Sequence, residues 1–187
     1  VGKIPGGFNK REGKASEHAI LTSRVIDRPM RPLFPKDYRN DVTLNNMVMS
    51  VDPQCNPEVV AMLGSSIATC ISDIPFDGPC AATQVGMIDG ELIINPTLEQ
   101  NAKSDLKLTV ASTREKVIMI EAGANEVPEA KMIEAIFEAD KVNKEIIAFI
   151  DKIVADCGKA KHSYESCAVP EELFAAMKEI VTPEEME

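Results

Sequence analysis

A stretch of apolar residues at helical spacing between Pro128 and Gly158 sets the scale of any fold that this chain can adopt. Proline is favoured at the first position of a helix and glycine just after the last, so the stretch predicts one helix over 129–157. At 1.5 Å per residue this helix would be about 40 Å long, the width of a domain or more. Its apolar positions are Met132, Ile133, Ile136, Phe137, Ile146, Ile147, Ile150, Ile153 and Val154.

Upstream of this helix, several segments have the character of β-strands. Asp89-Gly90 is the strongest signal, because this dipeptide favours the tight turn of a two-stranded hairpin. Residues 42–52 alternate and are rich in valine and methionine, a pattern that indicates a further strand. The predicted strands are 42–52, 80–88, 91–95, 106–112 and 117–122.

Three further helices are predicted from capping residues and prolines. Ser16 is a suitable N-cap for the first, which should end before Pro29 because the residue preceding a proline is driven out of the helical region. Asn56-Pro57 supplies the cap and first position of the second helix, whose small and apolar side chains predict burial against a sheet. Pro170 opens the third helix. The predicted ranges are 16–28, 57–72 and 170–181.

This order of elements predicts an α/β fold of the α+β type. We expect residues 1–125 to form a mixed sheet flanked by the first two helices. The strand count is low for so much helix, so we also expect strands upstream of Val1. The chain begins with Val1 rather than methionine, within a Gly- and Pro-rich stretch, which we interpret as a truncated or processed start.

Composition argues against several functional classes. Hydrophobic residues make up 44% and charged residues 27%, as in a globular protein. No apolar run approaches the ~18 residues of a membrane span and no signal-peptide pattern is present, so we expect a cytoplasmic protein. The five cysteines lack metal-ligand spacing, which predicts buried, reduced thiols. His18 and His162 are the only histidines, so no histidine-based catalytic site is expected.

Positive charge is concentrated in residues 1–39, which we call the basic head. This segment has nine basic and four acidic residues, a local charge of +5, whereas the rest has 11 basic and 26 acidic residues, a charge of −15; the sum is the overall −10. A basic head on an acidic body suggests that an anionic ligand binds at this end.

The basic head combines arginines with an aromatic ring. Three arginines recur at i, i+4 and i+7 and would share one side of the first helix. Guanidinium groups that bind phosphates, beside a ring on which a base can stack, suit a path for single-stranded nucleic acid. The alternative is that these arginines pair locally with Asp27 and Glu17. The candidate RNA-binding residues are Phe8, Lys10, Arg11, Lys14, Arg24, Arg28 and Arg31.

The strings IPGGFNKREGKASE and SRVIDRPMRPLFP closely resemble motifs of the polynucleotide phosphorylase family. The resemblance continues through VMSVDPQCNPEVVAMLGSSIA, SDIPFDGPCAATQVGMIDGELIINPT and LKLTVASTREKVIMIEAGANEVPE, and weakens beyond Ser163. It implies a ribonuclease-PH-like fold, whose topology is shared with a ribosomal protein. Residues 1–158 would be the first such domain of the family, truncated at its N-terminus, and 159–187 a linker and the start of an all-helical segment.

The family resemblance also implies an activity. Members are phosphorolytic 3′→5′ exoribonucleases of mRNA degradation: inorganic phosphate attacks the terminal linkage of RNA, releasing nucleoside diphosphates, with magnesium as cofactor. They form homotrimers around a channel, and some work with partners in RNA-degradation complexes. The loop matching Phe8–Arg11 lines the channel and grips single-stranded RNA. The phosphate site and the magnesium carboxylates belong to the second ribonuclease-PH-like domain.

Aligning the family's catalytic strand with Leu106–Ser112 places Asn101 and Lys107 where two metal carboxylates would stand, with Asp105 between them. An amide and an ammonium group cannot replace two carboxylates around magnesium. We therefore expect this domain to be non-catalytic, to guide RNA, and to be inactive without the rest of the enzyme.

The candidate loop departs from the family pattern. The family often has F-F-R-R, whereas Phe8-Asn9-Lys10-Arg11 has one ring and one arginine fewer, which weakens stacking and bidentate phosphate binding. Two alternatives follow from other classes of protein. One is a stand-alone RNA-binding module of ribosomal-protein type, and the other is a purely structural trimerisation domain.

Overall fold

An antiparallel sheet of four strands forms the centre of the structure. The strands β1 (Ala81–Ile88), β2 (Glu91–Ile94), β3 (Leu106–Ser112) and β4 (Val117–Ala124) lie in the order β2-β1-β3-β4. The computed structural model describes residues 15–52 and 54–180. The helices are α1 (Glu17–Met30), α2 (Pro57–Ile71), α3 (Leu98–Lys103), α4 (Glu129–Cys157) and α5 (Glu171–Ile180), with a 3-10 turn at Arg31–Leu33.

The two faces of the sheet are covered by different helices. Ala82 of β1 lies opposite Ala111 of β3, and both pack with Met62 of α2 in one buried cluster to which α1 also contributes. Leu108 lies on the other face of β3 and packs with Ala135 of α4. Because successive side chains of a strand point to opposite faces, β1 and β3 bury side chains on both sides. The α+β fold class is thus confirmed.

Most predicted elements are confirmed within a residue or two. The hairpin turns at Asp89 and Gly90, whose φ values of 52° and 82° lie in the left-handed region that Asp and Gly tolerate best at such turns. The long helix is present as α4 and ends at Cys157 with Gly158 as its C-cap, although Pro128 is its N-cap rather than its first residue. Among the helices within residues 15–52 and 54–180, none has both the length and the apolarity to cross a bilayer.

The strand predicted over 42–52 is wrong. These residues are extended in part but form no ladder, and most of their side chains are exposed: Met47 is 73% and Met49 is 85% accessible. A strand needs a neighbour whose backbone groups pair with its own N–H and C=O groups. Within the described residues no strand lies beside this segment, so its alternation alone does not produce one.

Three smaller expectations also need correction. The first helix continues through Pro29 to Met30, both buried, because packing against the core outweighs the single helical hydrogen bond that a proline lacks in the last turn. Helix α3 was not predicted, although Thr97 and Gln100 form a capping box in which each side chain accepts from the other's backbone N–H. The sheet is antiparallel throughout rather than mixed.

The cysteines are all free, but only two are buried as predicted. Cys70 and Cys80 lie in the core, and burial raises the pKa of the Cys80 thiol to about 11. Cys55, Cys157 and Cys167 are exposed. The expectation of buried thiols was therefore wrong for these three.

A buried polar network joins α4 to the sheet. The side chain of Asn143, fully buried, donates to the Val110 carbonyl at 3.0 Å and to the Ser112 hydroxyl at 3.2 Å. Its own carbonyl oxygen accepts from the Thr83 hydroxyl at 2.7 Å. The network fixes the rotation of α4 over β1 and β3, because a rotated helix would leave these buried groups without partners.

After α4 the chain turns back across the domain as an extended segment, residues 159–168, which we call the strap. Lys161 Nζ donates to the carbonyls of Thr69, Cys70 and Ser72 at 3.2, 2.9 and 2.7 Å, covering the C-terminus of α2 with a positive charge. Beyond it, the hydroxyls of Tyr164 and Ser166 reach Asp37 (2.8 and 2.6 Å).

The contact between the strap and Asp37 predicts a raised pKa for Tyr164. The hydrogen bond to Asp37 raises the pKa of Tyr164 above its ordinary value of 10.0. The neutral phenol therefore contributes stability that is complete below about pH 10 and is lost as the pH rises through the raised pKa. In the Tyr38→Phe chain, which keeps a single tyrosine and no tryptophan, ultraviolet titration should give this pKa directly. Asp37→Asn should lower it; a phenol already at 10 or below would contradict the strap.

Candidate nucleic-acid interface

Helix α1 forms from local signals and presents the three predicted arginines. Ser16 caps it by accepting from the Ala19 N–H at 3.2 Å, and Glu17 lies in its first turn. Ile26 and Met30 face the core, which fixes the rotation of the helix. The arginines, Arg24, Arg28 and Arg31, consequently lie together on the exposed side, as their spacing predicts.

Arg31, the C-cap of α1, is held by a carboxylate of that helix. Its guanidinium makes a bidentate contact with Asp27, in which Nη2 donates to Oδ2 at 2.6 Å and Nε donates to Oδ1 at 3.2 Å. The hydrogen bond from Arg31 to Asp27 raises the pKa of the guanidinium. The local pairing considered from the sequence thus exists for Arg31, and a phosphate would have to share this cation with Asp27.

The other two arginines have different surroundings. Arg28 Nη1 lies 3.3 Å from Glu121 Oε2, a contact that links α1 to β4 across the surface. Both side chains are about half accessible, so the pair is an exposed one of small energetic value. Arg24 is exposed and makes no salt bridge with any residue that the structure describes. Arg24 is therefore the most available of the three for an anionic ligand.

The other four candidates, Phe8, Lys10, Arg11 and Lys14, lie outside the described residues. Their role in RNA binding stays a prediction from the sequence.

A cleft of about 1250 Å³ lies beside α1, bounded by residues 34–48 and the start of α2. Arg31 lies on its rim, and two more cations, Lys36 and Arg39, line the same cleft. Phe34 and Tyr38 also line it. Their rings pack against Phe76 and Tyr164, with centroids 5.0 Å apart in each pair. Sequence reasoning counted Lys36 and Arg39 as part of the basic head but did not place them in the site. The available signal was the run F-P-K-D-Y-R, in which a proline and a turn place two cations next to two aromatic residues.

The residues aligned with the family's metal carboxylates do not fit a magnesium site. Asn101 is half-buried on α3 and donates to the Pro96 carbonyl at 3.3 Å, while Asp105 and Lys107 are exposed. One carboxylate, one amide and one ammonium group lack the oxygen donors that magnesium requires. In the described part of the chain, no group of three or more His, Cys, Asp or Glu side chains could hold a metal ion.

Two family profiles match this chain. The profile "3' exoribonuclease family, domain 1" matches residues 2–75, and "3' exoribonuclease family, domain 2" matches residues 78–142. Together the two profiles cover well over half of the chain.

Whole proteins give the same assignment. A polyribonucleotide nucleotidyltransferase of Lachnoclostridium phytofermentans is 78% identical over 100% of this chain and 27% of its own length. Those of Ruminiclostridium cellulolyticum and Clostridioides difficile are 59% and 54% identical, over 96% and 97% of this chain and 26% of their own length. The chain thus spans about a quarter of the curated relatives that it matches.

A solved structure supports the fold at much lower identity. The crystal structure of rice (Oryza sativa) Rrp46 is 12% identical, with a TM-score of 0.59 over 76% of this chain and 68% of that one. Profiles, relatives and fold agree: the chain belongs to the 3′ exoribonuclease family, in which it matches a segment of polyribonucleotide nucleotidyltransferase.

Proposed function

We propose that this chain is part of a phosphorolytic 3′→5′ exoribonuclease, a polyribonucleotide nucleotidyltransferase that degrades RNA with inorganic phosphate to nucleoside diphosphates. The observation that carries the proposal is sequence identity of 78% along the entire chain with a relative of that name. The complete protein would be a homotrimer that uses magnesium, with residues 1–158 as its first ribonuclease-PH-like domain and 159–187 as the start of its helical segment.

Within that enzyme, the domain would guide single-stranded RNA rather than cleave it. Three exposed arginines on one side of α1 and its C-terminal end support this role, since guanidinium groups bind phosphates and phosphate contacts read no bases. The predicted contacts of the preceding loop, Phe8, Lys10, Arg11 and Lys14, would extend this surface. Magnesium and phosphate would be bound elsewhere in the complete protein, since Asn101, Asp105 and Lys107 are not a magnesium ligand set.

A structural role is a second candidate, favoured by an apolar stripe on α5. Leu173, Phe174, Met177 and Ile180 are each more than half accessible, and they recur at helical spacing. A helix with such a stripe gains stability by packing against another surface. A purely structural domain would contribute nothing to RNA affinity.

A carboxylate substitution in the full-length protein tests the non-catalytic assignment. Asp105 is the only carboxylate of the aligned set, and Asp105→Asn keeps the backbone bonds that its N–H and C=O make with Met87 and Asn125. We expect kcat for phosphorolysis of poly(A) to stay within about twofold of wild type, as in the exposed control Glu99→Gln. A drop of tenfold or more in Asp105→Asn alone, the size seen when the ligand shell of a metal is disturbed (roughly 10–100-fold), would place the metal site here.

A further inference from the structure

The turn that follows α1 carries two cations that no carboxylate of the described residues neutralises directly. Lys36 and Arg39 are exposed, and neither makes a salt bridge with the residues that the structure describes. Arg39 Nη1 instead donates to the Lys36 carbonyl at 2.9 Å, which orders the guanidinium beside the turn. Arg28 and Arg31, in contrast, are occupied by Glu121 and Asp27.

The backbone between these two cations is held from both sides. The Asp77 N–H donates to the Leu33 carbonyl at 2.8 Å on one side of the turn. On the other, Asp37 accepts from both strap hydroxyls, and the Cys167 N–H donates to its backbone carbonyl at 3.1 Å. The ring of Tyr38 packs edge-on against Tyr164, with centroids 5.0 Å apart.

The chemistry of Asp37 fits an anchor rather than a partner of Arg39. Hydrogen bonds from Ser166 and Tyr164 are the main reason that the pKa of Asp37 is lowered, and the charge of Arg39 contributes least. Both carboxylate oxygens of Asp37 thus accept hydrogen bonds from the strap. Apart from the Arg39 Nη1 donor that binds the Lys36 carbonyl, the donors of the two neighbouring cations stay available to another anion.

We propose that Lys36 and Arg39 form a phosphate-binding patch for the RNA backbone, and that Asp37 is the positioning residue that fixes this patch through the strap. The patch lines the same cleft as Arg31, so an RNA strand running along α1 would meet it next. Tyr38 and Phe34 line that cleft as well. The inference rests on the proposed RNA-guiding function and extends its contacts beyond the predicted residues.

The first test removes the charges. In the full-length protein, Lys36→Ala/Arg39→Ala should lower the slope of log affinity against log salt for poly(A) by roughly 1.4, since each lost phosphate contact removes about 0.7. At 0.1 M salt this corresponds to roughly 25-fold weaker binding. The matched control is Lys116→Ala/Lys152→Ala, which removes two exposed cations away from the cleft and should bind like wild type.

The second test separates positioning from charge, because the two effects have opposite signs. Asp37→Asn makes this end of the domain more positive, so simple electrostatics predicts tighter RNA binding. An amide offers one acceptor oxygen instead of two, so loss of the anchor predicts weaker binding. We expect binding several-fold weaker than wild type, with faster hydrogen exchange in residues 159–168. Asp41→Asn removes an equal charge from an exposed cleft residue and should bind as tightly as wild type or tighter.

A variant at the other end of the contact guards against a folding defect at Asp37. Tyr164→Phe/Ser166→Ala changes no charge yet removes both side-chain donors to the anchor, so it should weaken RNA binding to a similar degree. Wild-type affinity in Lys36→Ala/Arg39→Ala at every salt concentration would overturn the patch. Tighter binding in Asp37→Asn, or wild-type binding in the strap variant, would overturn the positioning role.

These failures are distinguishable from failure of the proposed function. If Lys10→Ala/Arg11→Ala weakens RNA binding while Lys36→Ala/Arg39→Ala does not, only the patch is wrong. If neither double variant changes the affinity, the RNA-guiding function fails as well.

Discussion

We expect Lys10→Ala/Arg11→Ala in the full-length protein to bind single-stranded RNA roughly 25-fold more weakly at 0.1 M salt. Each phosphate contact contributes about 0.7 to the slope of log affinity against log salt, so losing two contacts should lower that slope by about 1.4. The loss should shrink as salt rises, because the wild-type protein then gains less from counterion release. It should be similar for poly(A) and poly(U), since contacts to phosphates read no bases. Filter binding over a series of salt concentrations measures both quantities.

Phe8→Ala is the matched control for this experiment, because it removes a ring and no charge. Stacking is worth about 1–3 kcal/mol per base and releases no counterions, so affinity should fall while the salt slope stays the same. Turnover of RNAs too short to reach the loop should be unchanged in both variants. If the double variant binds long RNA as tightly as wild type at every salt concentration, the charges only solvate a surface loop, and the structural role is favoured.

The second large effect is expected in the core, at Asn143. Asn143→Ala leaves the Thr83 hydroxyl, the Ser112 hydroxyl and the Val110 carbonyl without a shared partner. Each unsatisfied buried group costs about 1–3 kcal/mol, and partial relaxation makes the sum less than additive, so we expect a loss of roughly 2–4 kcal/mol in the free energy of unfolding. Urea denaturation should show a lower midpoint at an unchanged slope.

Two variants make the interpretation specific. Asn143→Leu restores most of the volume but none of the hydrogen bonds, so it should not recover the lost stability. Asn45→Ala, at an exposed position, should change the free energy of unfolding by no more than about 0.5 kcal/mol. A stable Asn143→Leu variant would mean that α4 is held by packing alone and that the polar network is dispensable.

Elements with local signals were predictable from the sequence. Asp89-Gly90 defined the hairpin, Asn56-Pro57 the start of α2, and Pro128 with Gly158 the length of α4, because each signal acts through backbone conformations of the residues themselves. The strand at 42–52 failed for the opposite reason, since ladder formation depends on a neighbour that no local pattern specifies. The Thr97 and Gln100 capping box was a readable signal for α3 that periodicity alone overlooked.

The candidate site follows the same division. Spacing along α1 predicted that Arg24, Arg28 and Arg31 share a side, and it also predicted that Asp27 could pair with Arg31. It could not predict that Glu121, 93 residues further on, would hold Arg28. The availability of Lys36 and Arg39 likewise depends on a strap that joins the turn from about 130 residues away, as the Asp37–Ser166 separation of 129 shows.

The ammonium group of Lys161 has a practical consequence for anyone who shortens this protein. Helix α4 ends at Cys157 and is capped by Gly158, which makes this point an obvious place to truncate the chain. Truncation there would remove Lys161, whose ammonium group binds three carbonyls at the end of α2. It would also remove the three strap groups that donate hydrogen bonds to Asp37. A recombinant fragment meant to keep α2 and the 36–39 turn intact should therefore extend at least through Cys167.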